Sequence, residues 1–385
     1  MGLGNHDEAL LTYKEAVTLH KHKLKDLEDA ISVTSTTTDA DGKFGFNLTS
    51  HNDRAHRLAH HSEALGQFSA TLRNIGLVYQ DKGDLSKALN AFKASHKYKK
   101  QQLGENSMEV AVLAENIALC FFSQNQYKNA IASFFEALRV KKINLGEDSD
   151  EYATTLNNLG NVYYTIGNLA KAMEHYAKAF LIKKSLLGDD HVDLATMLNN
   201  IASIYAEESN INEAIETYQE SLRIRKAKLG NDDLLVASTY LNLGDMCVRK
   251  QSLNEALEHY RETMRIRVLH FGQSHLEVAL VFDKMALAYE SQKEWKRAIE
   301  MHYDSAKMKE TLLGKVTLEY AATVEKIAHC QLYLKKIPEA QKCLKHVLHV
   351  RRKRLEHRND DHQDIQAVLI ALNTLRPPKK NVTTK

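Results

Sequence analysis

Two short stretches carry paired asparagines: "LNNLGNVYY" from Leu156 to Tyr164, and "LNNIASIY" from Leu198 to Tyr205. The second Asn of each pair belongs to a longer series, Asn74, Asn116, Asn158, Asn200 and Asn242, which steps by 42 residues. Asn is a mediocre helix former because its amide competes for nearby backbone groups. Its return at a fixed interval therefore asks for a reason. A carboxamide presents a donor and an acceptor together, and the backbone of an extended peptide presents the same two groups. Asn157, Asn161, Tyr164, Asn199 and Ser203 surround the two central pairs and add polar groups to the set. Phe122 and Tyr164 are candidates for side-chain pockets, and Arg249, Lys284 and Lys326 for cations that bind an acidic residue or a chain terminus. In the last two copies Asp283-Lys284 and Glu325-Lys326 replace the Asn pair.

Other chemistry is hard to place. No HExxH, Walker A or GxSxG pattern occurs, and Gly314-Lys315 lacks the upstream glycine of a phosphate loop. Cys343, His346 and His349, with His329 and Cys330 before them, come nearest to a metal set. The set as a whole does not recur in the other copies, so no metal is expected. His191 and His275 follow the repeat and not a catalytic geometry. The expectation is no catalytic residue, no cofactor and no enzyme.

The elements that position the asparagines are read from the same 42-residue interval. The glycines Gly104, Gly146, Gly188, Gly230, Gly272 and Gly314 keep it without exception. So do Ala88, Ala130, Ala172, Ala214, Ala256, Ala298 and Ala340, and the small residues Gly76, Ala118, Gly160, Ala202, Gly244, Ala286 and Ala328. A bulky position runs Phe92, Phe134, Tyr176, Tyr218, Tyr260, His302, Leu344. A fixed period of this length signals a stack of like units. Each unit reads as helix A (about Glu151 to Thr165), a turn at Ile166 to Asn168, and helix B (about Leu169 to Leu186), closed by Gly188. Gly160 and Ala172 are small so that the two axes approach closely. The cations of "IKKS" (Ile182 to Ser185) and "IRKA" (Ile224 to Ala227) are read as complements to the helix dipole. Trp295 falls at an apolar position of the repeat and is read as core.

The stretch "LNNLGNVYYTIGNLAKAMEHYAKAFLIKKSLLG" resembles a tetratricopeptide repeat, and its linker and 42-residue period are similar to the kinesin light chain type. The resemblance covers residues 54–355, seven repeats. It implies an all-α fold, a right-handed α-solenoid of helix-turn-helix repeats. It also implies a non-catalytic scaffold or adaptor that binds partner peptides in a concave groove lined by the A helices. Related superhelices use Asn at the matching position to hold peptide backbones. The competing reading is that the Asn row bridges neighbouring helices and satisfies local groups. The partner implied is a protein, through an extended segment, with a motor or cytoskeletal complex as the kinesin light chain version. A second reading is the regulatory repeat region of a longer enzyme or signalling protein, truncated at its N-terminus.

Residues 1–31 read as the second helix of a partial repeat and 32–53 as a flexible insert. Residues 356–376 read as a capping helix, and 377–385 as a basic, disordered tail. The 385 residues carry a net charge of +3, too small to argue for nucleic acid, although the segment 351–385 is basic. No apolar run is long enough to span a bilayer. Four cysteines without a CxxC pattern, and charges where a signal peptide would have its apolar core, give the expectation of a cytoplasmic chain.

Overall fold

The computed structural model describes residues 3–33, 48–354 and 363–375. Among the described residues every regular element is an α-helix. The chain divides into two compact units, residues 1–188 and 189–385. The N-terminal unit holds α1 (Leu3–Val33), α2 (Leu48–Asp81), α3 (Leu85–Leu103), α4 (Met108–Ser123), α5 (Tyr127–Leu145), α6 (Asp150–Thr165) and α7 (Leu169–Leu187). The C-terminal unit holds α8 (Val192–Glu207), α9 (Ile211–Leu229), α10 (Leu234–Arg249), α11 (Leu253–Phe271) and α12 (Leu276–Ser291). It continues with α13 (Trp295–Leu313), α14 (Leu318–Tyr333), α15 (Ile337–Arg354) and α16 (Gln363–Thr374). Successive helices pack as antiparallel hairpins, and hairpins stack on their neighbours within each unit. This is the α-solenoid arrangement.

From α4 to α13 the pattern is strict: a 16-residue helix A, a short turn, a 19-residue helix B and a glycine-led linker. The turn is built the same way each time. Its middle residue takes positive φ in Gly83, Asn125, Gly167, Ser209, Gln251, Lys293 and Lys335, one per repeat. Two of these are glycine; the other five hold a left-handed backbone that L-residues resist. The small position has the expected cause. A Cβ on Gly160 would sit 2.6 Å from the Tyr176 ring, and one on Gly76 or Gly244 would strike Phe92 or Tyr260 as closely. The bulky side chains Phe92, Phe134, Tyr176, Tyr218 and Tyr260 are buried against this seam.

One reading of the cations is corrected. Lys184 and Lys226 lie in the last turns of α7 and α9 and suit the helix dipole. Their neighbours Lys183 and Arg225 are buried instead. They belong to a column at 42-residue steps, Lys141, Lys183, Arg225, Arg267, Lys309 and Arg351, that reaches across the seams between helices. Lys141 Nζ lies 2.8 Å from Glu115 on α4, and donates to Thr155 Oγ1 and to the Glu151 carbonyl at 2.8 and 3.0 Å on α6. Arg225 donates to the Leu235 carbonyl at 3.0 Å and to Thr239 Oγ1 at 2.7 Å. Arg267 donates to the Glu277 carbonyl and pairs with its carboxylate, both at 2.9 Å. Lys309 bridges Asp283 at 2.5 Å and Thr323 at 2.7 Å, and Arg351 bridges Glu325 at 2.6 Å and the Asp364 carbonyl at 2.9 Å. Each cation ties its own hairpin, the following helix A or both through donors that have left water.

At the ends, α2 begins at Leu48, inside the stretch read from sequence as an insert over 32–53, whose residues 34–47 lie outside the described residues. Helix α16 covers α15 with Ile365 and Val368, both fully buried in a cluster with Leu344 and Val347. Residues 356–362 and the tail 377–385 lie outside the described residues. Among the described residues no helix is long and apolar enough to cross a membrane.

Candidate peptide-binding face

The asparagine series sits where the A helices bare a polar stripe beside the packed leucines. Asn74, Asn116, Asn158, Asn200 and Asn242 are all half-buried, as are Asn157, Asn161, Asn199, Ser203, Tyr164, Lys284 and Lys326, while Arg249 is exposed. Their surroundings divide them. In the N-terminal unit the side chains of Asn74, Asn116 and Asn158 make no hydrogen bond among the described residues. Their amides stand at one register position on three successive A helices.

In the C-terminal unit the corresponding groups serve the fold. Asn242 Nδ2 donates to Asn199 Oδ1 at 3.3 Å, one hairpin back. Lys284 Nζ binds Asp245 Oδ2 at 2.7 Å. Arg249 donates to the Ala206 carbonyl at 2.5 Å and to Ser209 Oγ at 3.3 Å, closing the previous turn. A third polar position serves the buried tyrosines. Tyr176 donates to Asn161 Oδ1 at 2.6 Å, Tyr260 donates to Asp245 Oδ1 at 2.7 Å, and the Tyr218 hydroxyl lies 2.9 Å from Ser203 Oγ. A buried phenol needs such a partner. Phe122 packs near Tyr127, with ring centroids 6.1 Å apart.

The first Asn of each pair has its own context. Glu115, Asp283 and Glu325 occupy the positions of Asn157 and Asn199, and each pairs with the buried cation of its hairpin. Sequence reasoning missed this column. The cations recur at 42-residue steps as plainly as the alanines, but the carboxylates facing them do so only in some copies.

Around Asp283 the column widens into a buried network. His302 replaces the ring of the bulky series and is fully buried, with Nδ1 3.1 Å from Asp283 and Nε2 2.8 Å from Glu290. Burial opposes charge on His302, but its bonds to Asp283 and Glu290 outweigh that and raise its pKa. Burial likewise opposes charge on Asp283, yet bonds from His302 and Lys309 hold its pKa down at about 2. The ring, set between two carboxylates, thus keeps its second proton to higher pH than a free imidazole. The Cys330 thiol donates to Glu290 at 3.3 Å, and burial pushes its pKa up to about 12.

Metal chemistry gains little here. Among the described residues, Glu290 with His302 and Cys330, and Cys247 with Glu255 and His259, bring ligand atoms within 4.8 Å of one another. The first group is accounted for by the network just described. In the second, burial raises the Cys247 thiol to about 12. The residues singled out by sequence are not assembled: Cys343 Sγ faces Gln331 at 3.6 Å, and Cys330 faces Glu290.

The model of the tetratricopeptide repeat matches residues 67–143, 109–185, 151–227, 193–268 and 235–311, more than half of the sequence. The chain belongs to the tetratricopeptide repeat family. Among curated proteins no sequence match is found. Among solved structures, the apo form of the quorum sensor NprR from B. thuringiensis is similar over 90% of this chain and 99% of its own, at 17% identity and a TM-score of 0.59. The apo form of RapI is similar over 75% of this chain and 99% of its own, at 13% identity and a TM-score of 0.56. A Podosopora anserina protein assigned as a kinesin light chain, with nearly identical TPR-like repeats, is similar over 55% of this chain and 99% of its own (17% identity, TM-score 0.50). At these identities the likeness speaks for the tetratricopeptide fold alone.

Proposed function

We propose that this tetratricopeptide repeat chain is a non-catalytic protein-interaction scaffold whose A-helix face in the N-terminal unit holds an extended segment of a partner protein. The observation that carries the reading is the row Asn74, Asn116 and Asn158: three half-buried asparagines in register, whose amides have no partner among the described residues. An amide in that state favours a ligand that brings back both a donor and an acceptor. Each bond contributes only about 0.5–1.5 kcal/mol net. A few of them, less the cost of ordering the peptide, place the affinity nearer micromolar than nanomolar. In the C-terminal unit Asn199 and Asn242 already bond each other.

The test compares pull-downs from native lysate by the intact chain and by Asn74→Ala/Asn116→Ala/Asn158→Ala, with helicity followed by circular dichroism. The expected result is a folded variant that loses partners held by the intact chain. Unchanged capture by the folded variant would remove the amide row from the binding site.

A finer reading makes the partner a microtubule-motor complex. It is supported by the 42-residue period and by the linker similar to the kinesin light chain type. Co-purification with a kinesin heavy chain tests it, and failure to associate with any heavy chain offered would leave the scaffold without the motor role.

A further inference from the structure

The cation column has an earlier, half-buried member that lacks the acceptors Lys141 uses. Lys99 on α3 stands 42 residues before Lys141, and at that step the two acceptor positions have both changed. Lys141 faces Glu115 on its own helix A and Thr155 on the next. The matching residues for Lys99 are Arg73, of the same charge, and Leu113, which accepts nothing. Among the described residues Lys99 Nζ reaches only Gln102 Oε1, at 2.8 Å. Arg73 is exposed and has no hydrogen bond or ion pair among the described residues.

A cavity of about 240 Å³ opens where the bridge would have been, between α2, α3 and α4. Ser69 and Ser95 form its floor and already bond each other's carbonyls, at 2.9 and 2.7 Å. Its walls are Ala70, Val112 and Leu113, and its charged groups are Arg73, Lys99 and Glu109. Two cations against one carboxylate leave an excess positive charge in a recess with apolar walls. Arg73 directly precedes Asn74, and Val112 lies one helical turn before Asn116, so the recess borders the amide row.

We propose that this recess is a side-chain pocket for an Asp or Glu of a bound partner segment, whose carboxylate supplies the acceptor that Glu115 supplies to Lys141 one repeat later. The proposal rests on the reading of the amide row as a peptide-binding face, and gives that face an acidic specificity. Arg73 offers the carboxylate a two-pronged donor and Lys99 a point charge.

The experiment is selection from a random peptide library displayed on phage, with the full chain as bait, repeated with Arg73→Ala, Arg73→Glu and the triple Asn→Ala variant. Each bait is checked for helicity. The expected outcome is enrichment of peptides with Asp or Glu at one fixed position. Their binding should weaken by about tenfold or more in Arg73→Ala, as loss of a charged hydrogen bond implies. Arg73→Glu should instead enrich Lys or Arg at that position. This reversal is a readout that a merely unfolded variant cannot give. Enriched peptides without an acidic position, or acidic peptides indifferent to both Arg73 variants, would overturn the pocket; if the triple Asn variant still loses them, the amide row stands alone. Acidic peptides that depend on Arg73 but not on the asparagines would keep the pocket and overturn the row. No enrichment at all would overturn both.

Discussion

At the scale of single residues, chemistry is decided by whether a polar group has been given a partner. Asn74 and Asn161 are the same residue type on equivalent helices, yet Asn161 holds the Tyr176 hydroxyl while the Asn74 amide has no partner among the described residues. His302 is the extreme case of a polar side chain absorbed by the fold. Asp283 and Glu290 face it from α12, Lys309 from α13, and Lys326 and Cys330 from α14. Its pKa is raised above the ordinary 6.5, so its contribution to stability is complete below 6.5 and is lost as pH rises through the raised value. Asp283, depressed from 3.8 to about 2, and Glu290, lowered from 4.5, contribute fully above their ordinary values and lose that contribution on acidification. The network is therefore strongest between about 4.5 and 6.5. Thermal melts should show stability falling on the alkaline side of this window. His302→Phe, which restores the ring found at Phe92 and Phe134, should lower the plateau and flatten that alkaline fall. An equal alkaline slope in the variant would show that His302 is not the titrating group.

At the scale of helices, the seams between hairpins are held by a buried charge as well as by apolar packing. Lys141 is almost fully buried, and its Glu115 partner is 17% exposed, so removing the cation strands a carboxylate that water barely reaches. Breaking such a pair from one side costs about 3–5 kcal/mol, whereas replacing both partners by apolar groups of similar size can be close to neutral. Lys141→Met should thus cost on the order of 3 kcal/mol in chemical unfolding, and Lys141→Met/Glu115→Leu should recover much of it. Additive losses in the double variant would mean that the two groups are not coupled. This seam also marks the limit of what the sequence displayed. The period, the helix pairs and the Gly160–Tyr176 contact were legible because a small residue and a ring recurred at constant spacing. The cations recurred as regularly, but a cation near a helix end has a ready local explanation in the dipole. Only the packing shows that Lys183 is covered and pairs with Asp150 on α6, and that Arg225 is covered and reaches Leu235 and Thr239 on α10. The carboxylate column was harder still, since its copies read Arg73, Glu115, Asn157, Asn199, Leu241, Asp283 and Glu325. The same variation hid the cationic recess: the Arg267 copy also lacks both side-chain acceptors, at Leu241 and Val281, but reaches Glu277, whereas Lys99 with Arg73 and Leu113 finds no such carboxylate. The candidate face was legible as a row of Asn, but its division into free and committed amides depends on distances that no spacing encodes.

At the scale of the whole molecule, a stack of hairpins is bound by nearest neighbours, so its stability is a sum of local terms and damage stays local. The final hairpin, α14 with α15, needs a cover for the apolar face that a following repeat would otherwise bury. Helix α16 supplies it with Ile365 and Val368, which are fully buried although only 12 residues form the helix. Deleting buried branched side chains removes their transfer free energy and leaves a cavity, with costs of about 2–5 kcal/mol per large residue. Ile365→Ala/Val368→Ala should therefore detach α16 and speed amide hydrogen exchange in α14 and α15. Exchange in α4 and α5 should keep its protection, because no contact in that part of the N-terminal unit depends on the cover. The comparison is made on the full chain by mass spectrometry, segment by segment. Uniform loss of protection along the chain would mean that the stack unfolds as one cooperative body and that α16 acts on all of it. Loss confined to the last hairpins would make α16 a local cap, and would leave the Asn74, Asn116 and Asn158 face intact in a variant whose C-terminal end has come loose.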